Sequence, residues 1–364
     1  MTEPGPATAT PDRATLAARV NPGFWGLAWR RYRRHPTGMI GLALVAAMLL
    51  VALFTPFFAG RQPIICSYEG EIHMPAVIET LHKIPGAEHV VSVSKPFRYP
   101  SFSPREAIDE AKGDWAVWPL VPWGPNETNP LGKLKAPSEA HLLGTDDVGR
   151  DVLSRMIHAT PIALMIGFVA MGIATVIGLT AGALAGYLGG RVDIGVSRVI
   201  EVFICVPVFY VILIALLVAE PSIWNVMIVL GLFSWTGIAR YTRAEMMKLQ
   251  GQDYALAARA LGASTPRIVF RHLLPNALAP VLVVVAFGVA GAIFVESGLS
   301  WLGFGVQPPQ ATWGSILRTG WDNLRAAPHI IFPPSAAIFI AVLTMNLIGD
   351  ALRDVTDPRL TGSA

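Results

Sequence analysis

Six stretches of this sequence contain no Asp, Glu, Lys or Arg: 36–60, 161–190, 202–219, 221–239, 272–295 and 330–349. Each approaches the roughly 17–25 residues an α-helix needs to cross about 30 Å of hydrocarbon at about 1.5 Å per residue. Hydrocarbon offers no water to backbone N–H and C=O groups, so such segments are helices. The chain is therefore read as an all-α membrane protein with six transmembrane helices. Composition agrees. Of 364 residues 53% are hydrophobic and only 15% charged, against about 25% charged in soluble domains. That excludes a soluble multidomain protein and a disordered chain. A net charge of +3 gives no field for nucleic acid. Cys66 and Cys205 provide neither a disulfide framework nor a metal cluster.

Charges between the spans set the orientation. Residues 1–35 form an N-terminal tail whose end is the basic cluster Arg30-Arg31-Tyr32-Arg33-Arg34. By the positive-inside rule this end is cytoplasmic. The first span, 36–60, follows that polar leader and reads as an anchor, not a cleaved signal. Six crossings return the tail 351–364 to the same side. The loop 240–271 agrees: Arg240, Arg243, Lys248, Arg259, Arg267 and Arg271 outnumber Glu245 and Asp253. A full third crossing starts near Asp193, with Arg198 and Glu201 in its first turns. Glu220-Pro221 reads as a tight hairpin to the fourth.

Residues 61–140 are a polar external insert holding Trp115, Trp118 and Trp123. Regular periodicity is confined to short runs such as Pro104–Lys112. The insert reads as a structured cap or as a docking surface. The permease core is then 141–350, and its most informative part is 253–275. Asp253–Leu261 is Ala-rich and helix-prone, with Asp253 suiting the helix dipole at its start. Gly262 is placed to end that helix. Thr265 is placed to cap a second one, with Pro266 at its first position and Pro275 at the next boundary.

This segment resembles the EAA loop of ABC-importer permeases: Glu-Ala-Ala, three residues, Gly, nine residues, then Ile-x-Leu-Pro. Ala257, Ala258, Gly262, Leu274 and Pro275 fall on that spacing, while Leu256 stands for the Glu and His272 for the Ile. Asp253 is the acidic residue nearest the missing Glu. The resemblance covers about 141–360. His141-Leu-Leu-Gly144-Thr-Asp146-Asp-Val-Gly149-Arg150-Asp151-Val-Leu-Ser-Arg155 is similar to the signature before the second span of dipeptide and oligopeptide permeases. Arg271-His-Leu-Leu-Pro-Asn276, Glu296 through Pro309, Trp313-Gly314, Asn346 through Asp354 and Asp357-Pro-Arg359 match the same group in order. The chain resembles the C-type permease of that family. Arg61 through Pro75 and Trp115 through Pro119 resemble the long insert of the microcin C-type (Yej-like) subgroup.

The resemblance implies a type I ABC importer permease in a bacterial cytoplasmic membrane, both termini inside. It implies a heterodimer with a homologous permease, two ATPase subunits binding ATP and Mg, and an extracytoplasmic peptide-binding protein. ATPase coupling then falls to Asp253, Ala257, Ala258, Gly262, Ser264, Arg267 and Pro275. Peptides are the expected substrate, with nickel or another small solute as the alternative. The sequence contains no Gly-x4-Gly-Lys-Ser/Thr loop, so hydrolysis is expected in partner chains and no cofactor in this one. A polytopic enzyme is a remote reading. No His-Glu-x-x-His occurs, and Gly298-Leu-Ser300-Trp-Leu-Gly303 misses the nucleophile spacing. A channel lacks its repeated filter.

Charge in apolar surroundings is expensive and often functional. Glu201 and Glu296 are candidates to line a path. Alternatively Arg198 neutralises Glu201 at i, i+3, and Glu296 sits at the outer interface. Asn346 lines the path or bonds a neighbouring helix. Gly144, Asp146, Gly149, Arg150 and Asp151 mark the external signature. Asp146, Arg150, Asp151 and Arg155 are expected to form an exposed ion-pair network worth about 0–1 kcal/mol per pair.

Overall fold

The computed structural model describes residues 24–82, 103–108, 113–218 and 222–356. Glu220-Pro221, Lys112 and Asp357-Pro-Arg359 lie outside the described residues. A short amphipathic helix, α1 (Phe24–Tyr32), precedes the first crossing, α2 (Pro36–Leu53). The other crossings are α4 (Val152–Leu188), the pair α5 (Gly190–Cys205) and α6 (Val208–Val218), α7 (Ile223–Leu249), α9 (Thr265–Leu302) and α11 (Phe332–Thr356). The insert contributes α3 (Pro75–His82). On the coupling loop lies α8 (Asp253–Ala260), and α10 (Trp313–Asp322) packs Trp313 and Ile316 into the main core.

Prolines and caps move the ends of these helices away from the charge-free boundaries. α2 stops at Leu53, not at residue 60. Pro56 lacks the N–H that a continuing helix requires, and Thr55-Pro56 starts a separate turn, Thr55–Phe58. α4 begins nine residues before the charge-free run because Asp151 caps it, accepting from Ser154 N at 2.7 Å. Its 37 residues reach about 55 Å, longer than the roughly 30 Å of hydrocarbon.

The third crossing, expected to start near Asp193, is a bent pair of helices. α5 and α6 are bent by 83°. Pro207 follows Val206, whose φ of −93° and ψ of 131° are extended, the conformation a residue before proline favours. Arg198 and Glu201 do pair, at 2.6 Å on the exposed side of α5.

α4 and α7 form the closest crossing in the bundle. Gly178, Gly182 and Gly186 recur every four residues on α4, facing Ile238, Ala239 and Met246. A Cβ on Gly178 would stand 2.7 Å from that of Ile238, and one on Gly186 2.8 Å from that of Met246. From the other side, a Cβ on Gly231 would stand 2.7 Å from that of Ile173. Lipid tails provide no hydrophobic drive between helices, so this dispersion contact holds the pair. The main core, with Ile166, Met227, Leu230, Ile293 and Leu299, spreads from this crossing into α9 and α11.

Both described chain ends lie on one side. His35 Nε2 meets Asp354 Oδ2 at 3.0 Å, joining the start of α2 to the end of α11. The insert is not wholly irregular or helical. It holds a three-stranded antiparallel sheet, ordered β2 (Glu71–His73), β1 (Ile65–Tyr68), β3 (Trp115–Val117). Gly60 and Val121 close its base by backbone pairing. Of the expected run Pro104–Lys112, residues 109–112 lie outside the described residues, and the described part holds one helical turn, Pro104–Ala107. Arg105 of that turn lies 4.0 Å from the Trp123 ring centre and 5.7 Å from that of Trp118.

Candidate coupling segment and translocation path

The stretch 253–275 projects from the chain-end side of the bundle. Gln250–Gln252 turns the chain at the end of α7, and α8 runs from Asp253 to Ala260. The helix ends in a Schellman arrangement: Gly262 N donates to Arg259 O at 3.0 Å and Ala263 N to Ala258 O at 3.1 Å. This closure puts Gly262 at φ +77°, and no atom lies within 4 Å of where its Cβ would stand. Glycine is thus required by the backbone, and the space beyond it is open.

Ser264, not Thr265, stands at the cap position of the following helix. Thr265 and Pro266 are its first two residues. Pro275 does not interrupt α9 either. Ile268–Leu273 is a π-turn in which Leu274 N reaches back to Val269 O, and the added residue per turn admits the proline ring.

The motif divides between two faces. Asp253, Ala257, Gly262, Ser264 and Arg267 are exposed, whereas Ala258 and Pro275 are half-buried. Ala258 packs with Ala263, Leu274 and Tyr187 on a small core of Met246, Ala255, Ile268 and Leu273. Arg259 lies 5.5 Å from the Tyr187 ring centre, so the end of α4 braces α8. Burial raises the Tyr254 hydroxyl above its ordinary pKa, partly opposed by its hydrogen bond to Asn276. Sequence reasoning did not single out the apolar surface of this projection. Leu261 is 88% exposed, Phe270 53% and Leu256 47%. The available signal was three large apolar side chains within a loop otherwise rich in arginine.

At the opposite end the external signature forms one buried cluster. Asp146 is 2% exposed and Arg155 5%, so the network is not a surface one. Arg150 Nε meets Asp146 Oδ2 at 2.6 Å and Arg155 Nε meets it at 3.6 Å. Asp151 Oδ2 lies 2.8 Å from His141 Nδ1. The cover comes from residues 121–140. Ser154 Oγ donates to Trp123 O at 2.6 Å, and Leu134 N to Asp146 O at 2.9 Å. Gly149, at φ +83°, lies against the Asn129 backbone, which leaves no room for a Cβ. Gly144 is packed likewise against Lys135 and His329.

The three candidate path residues are not brought together. Glu201 is exposed beside Arg198. Glu296 is fully buried, not interfacial. Ser300 Oγ donates to its Oε1 at 2.6 Å, and the hydroxyls of Ser297 and Thr312 lie beside it. Asn346 is half-buried in α11. A cleft of about 500 Å³ lies elsewhere, between α4, α6, α7 and α9, with Ile212, Ser234, Gly237, Gly291 and Val295 among its lining. At Gly237 and Gly291 a Cβ would meet nothing within 4 Å.

Known proteins share this arrangement in sequence. Residues 178–362 match the family described as "Binding-protein-dependent transport system inner membrane component". Residues 23–69 match the "N-terminal TM domain of oligopeptide transport permease C". The chain is 29% identical over 355 residues to the oligopeptide transport system permease protein OppC of Bacillus subtilis (strain 168), covering 98% of this chain and 96% of that one. It is 35% identical over 234 residues to the dipeptide transport system permease protein DppC of Alkalihalophilus pseudofirmus, covering 64% and 77%. It is 29% identical over 360 residues to the peptidoglycan transport system permease protein YejE of Agrobacterium fabrum, covering 92% of each. The chain belongs to the inner-membrane components of binding-protein-dependent transport systems, as a multi-pass helical permease.

Proposed function

We propose that this chain is a peptide-carrying permease subunit of an ATP-driven importer, and that 253–275 is the lever on which its ATPase partners act. The observation that carries this is the exposed, Schellman-closed end of α8, with Leu256, Leu261 and Gly262 presented to a partner and Ala258 and Arg259 fixed to the bundle. An ATPase groove closing on that face moves a stiff element whose shift passes into α9 at the π-turn. Asp253, Ala257, Ser264 and Arg267 belong to the same exposed face. Ala258 and Pro275 act by positioning it. ATP and Mg belong to the partner subunits, and this chain is no hydrolase.

The peptide substrate class rests on the dipeptide and oligopeptide relatives. The cleft lined by Ser234, Gly237 and Gly291 is one wall of the path, completed by a homologous permease as a heterodimer. The basic residues around α1 and in 240–271 support a cytoplasmic chain-end side. An extracytoplasmic binding protein then delivers peptide to the side bearing the insert.

The test is Gly262→Arg against Gly262→Ala in the reconstituted transporter. Both variants carry the strain of a side chain at positive φ, about 1–2 kcal/mol, but only arginine fills the open face. Peptide uptake by the Arg variant should fall by at least about tenfold, the effect of about 1.4 kcal/mol of lost docking. The Ala variant should retain most of it, and both should insert normally. Normal uptake by the Arg variant overturns the assignment.

A further inference from the structure

A groove of about 280 Å³ runs between α1 and the bundle at the chain-end side, walled by Trp29, Tyr32, Leu42, Leu282, Ile348 and Leu352. Its lining is apolar throughout those six residues, and aromatic at one edge. Trp29 stacks on Tyr32 with ring centres 6.0 Å apart, and Tyr32 is fixed by its hydroxyl donating to Gly38 O at 3.1 Å. Arg33 lies over the outer face of Trp29, 4.9 Å from its centre. Arg30, Arg31 and Arg34 are exposed beside it. Among the described residues none of these four guanidiniums is ion-paired, and the nearby Asp354 is engaged by His35.

An apolar slot under a cluster of unpaired guanidiniums, edged by a Trp and a Tyr of the kind that favour a membrane interface, matches an amphiphile with a negative head. We propose that this groove binds one anionic phospholipid, its acyl chain in the slot and its phosphate on Arg30, Arg31, Arg33 and Arg34. Residues 1–23 are the other segment able to cover the slot. They carry two acidic and two basic side chains, Glu3 and Asp12 against Arg13 and Arg19, so they offer no net charge to match the cluster. Zwitterionic lipid offers none either.

The experiment uses the assembled transporter in nanodiscs containing brominated phosphatidylglycerol or brominated phosphatidylcholine at matched mole fraction. The Trp29 signal is the difference in fluorescence between the wild type and Trp29→Phe. Brominated phosphatidylglycerol should quench it at a mole fraction at least about tenfold lower than phosphatidylcholine, because only the anionic head pairs with the four guanidiniums. The variant with glutamine at 30, 31, 33 and 34 should quench equally with both lipids. Ala28 also lines the groove, and Ala28→Phe, which fills the slot without adding a tryptophan, should lose quenching by both. Equal quenching of the wild type by the two lipids overturns the proposal. So does quenching that emerges only after residues 2–23 are removed, because the leader then occupies the groove.

Discussion

Arg243 grips both carboxylate oxygens of Asp193. Its Nη2 donates to Oδ2 at 2.7 Å while its Nε donates to Oδ1, across fifty positions of sequence. The clasp joins α5 to α7 at the same residue whose backbone Gly186 of α4 lies against. The end of α7, which carries α8, is therefore held by α4 through packing and by α5 through charge. The two side chains are 32% and 17% exposed, so water screens the pair in part. A double-mutant cycle with Asp193→Ala and Arg243→Ala should give a coupling near the upper end of the exposed-pair range, about 1 kcal/mol. The exchanged pair, Asp193→Arg with Arg243→Asp, should recover part of the thermal stability either single exchange loses. Additive single effects would remove the clasp from the account.

Asp146 stands between two guanidiniums in a nearly dry site, and its Oδ1 also accepts from Arg150 N at 2.8 Å and Val148 N at 3.1 Å. Asp146→Asn keeps the shape but leaves Arg155 buried without its counter-charge. Breaking a buried pair this way costs about 3–5 kcal/mol. Asp151→Asn is different. Asparagine caps a helix about as well as aspartate, so the bond to Ser154 N survives and the loss should stay under about 1 kcal/mol. Denaturant titration of the purified permease should rank Asp146→Asn well below Asp151→Asn. The reverse ranking would mean that the cap, not the charge cluster, holds the external end of α4.

The crossings were legible because hydrocarbon imposes a rule that sequence displays directly: runs without charge must be helices. The end of α8 was legible for a similar reason, since Gly262 follows an Ala-rich helix and only glycine accepts its φ cheaply. The bend at Pro207 was not. Hydropathy runs unbroken through Val206 and Val208, and the direction of the turn depends on how Phe203 packs on Phe233 and Trp235, with ring centres 5.7 and 5.5 Å away. Burial of Asp146 and Arg155 was hidden too, because the cover is supplied by residues around Trp123 and Leu134 that sequence assigned to the insert. Strands of three and four residues are too short to display alternation, so the sheet could not be read.

Cys66 lies in the middle strand of that sheet, opposite His73 on one side and Ala116 on the other. Burial, and then the negative charge of Asp114, pushes its thiol up to about 11 from the ordinary 9.0. The folded insert thus favours the neutral thiol. That contribution to stability is complete below pH 9 and is lost as pH rises through about 11. In a Cys205→Ser background, maleimide labelling of Cys66 should be slow at pH 8 and accelerate above pH 10. Cys66→Ser should reduce the alkaline loss of insert stability. Rapid labelling at pH 8, at the rate of a free thiol, would contradict the closed sheet.

The insert offers a deletion that separates capping from docking. Removing 62–138 would also strip Trp123, Pro125, Asn129 and Leu134, which cover the charged cluster at the start of α4. Such a variant would fail for structural reasons alone. Gly60 N donates to Val121 O at 3.1 Å and Val121 N to Phe58 O at 2.9 Å, so the chain already closes on itself at that point. Replacing 62–119 by two glycines removes the sheet, α3 and the Arg105 turn while leaving 121–140 in place. This variant should insert and keep basal ATPase activity in the assembled transporter. Stimulation by the binding protein should fall if the sheet is its docking surface, because the surface it would touch is gone while the base of the insert is not. Unchanged stimulation would assign the sheet a capping role and move the docking surface to 121–140 and α10, the external elements that the deletion spares.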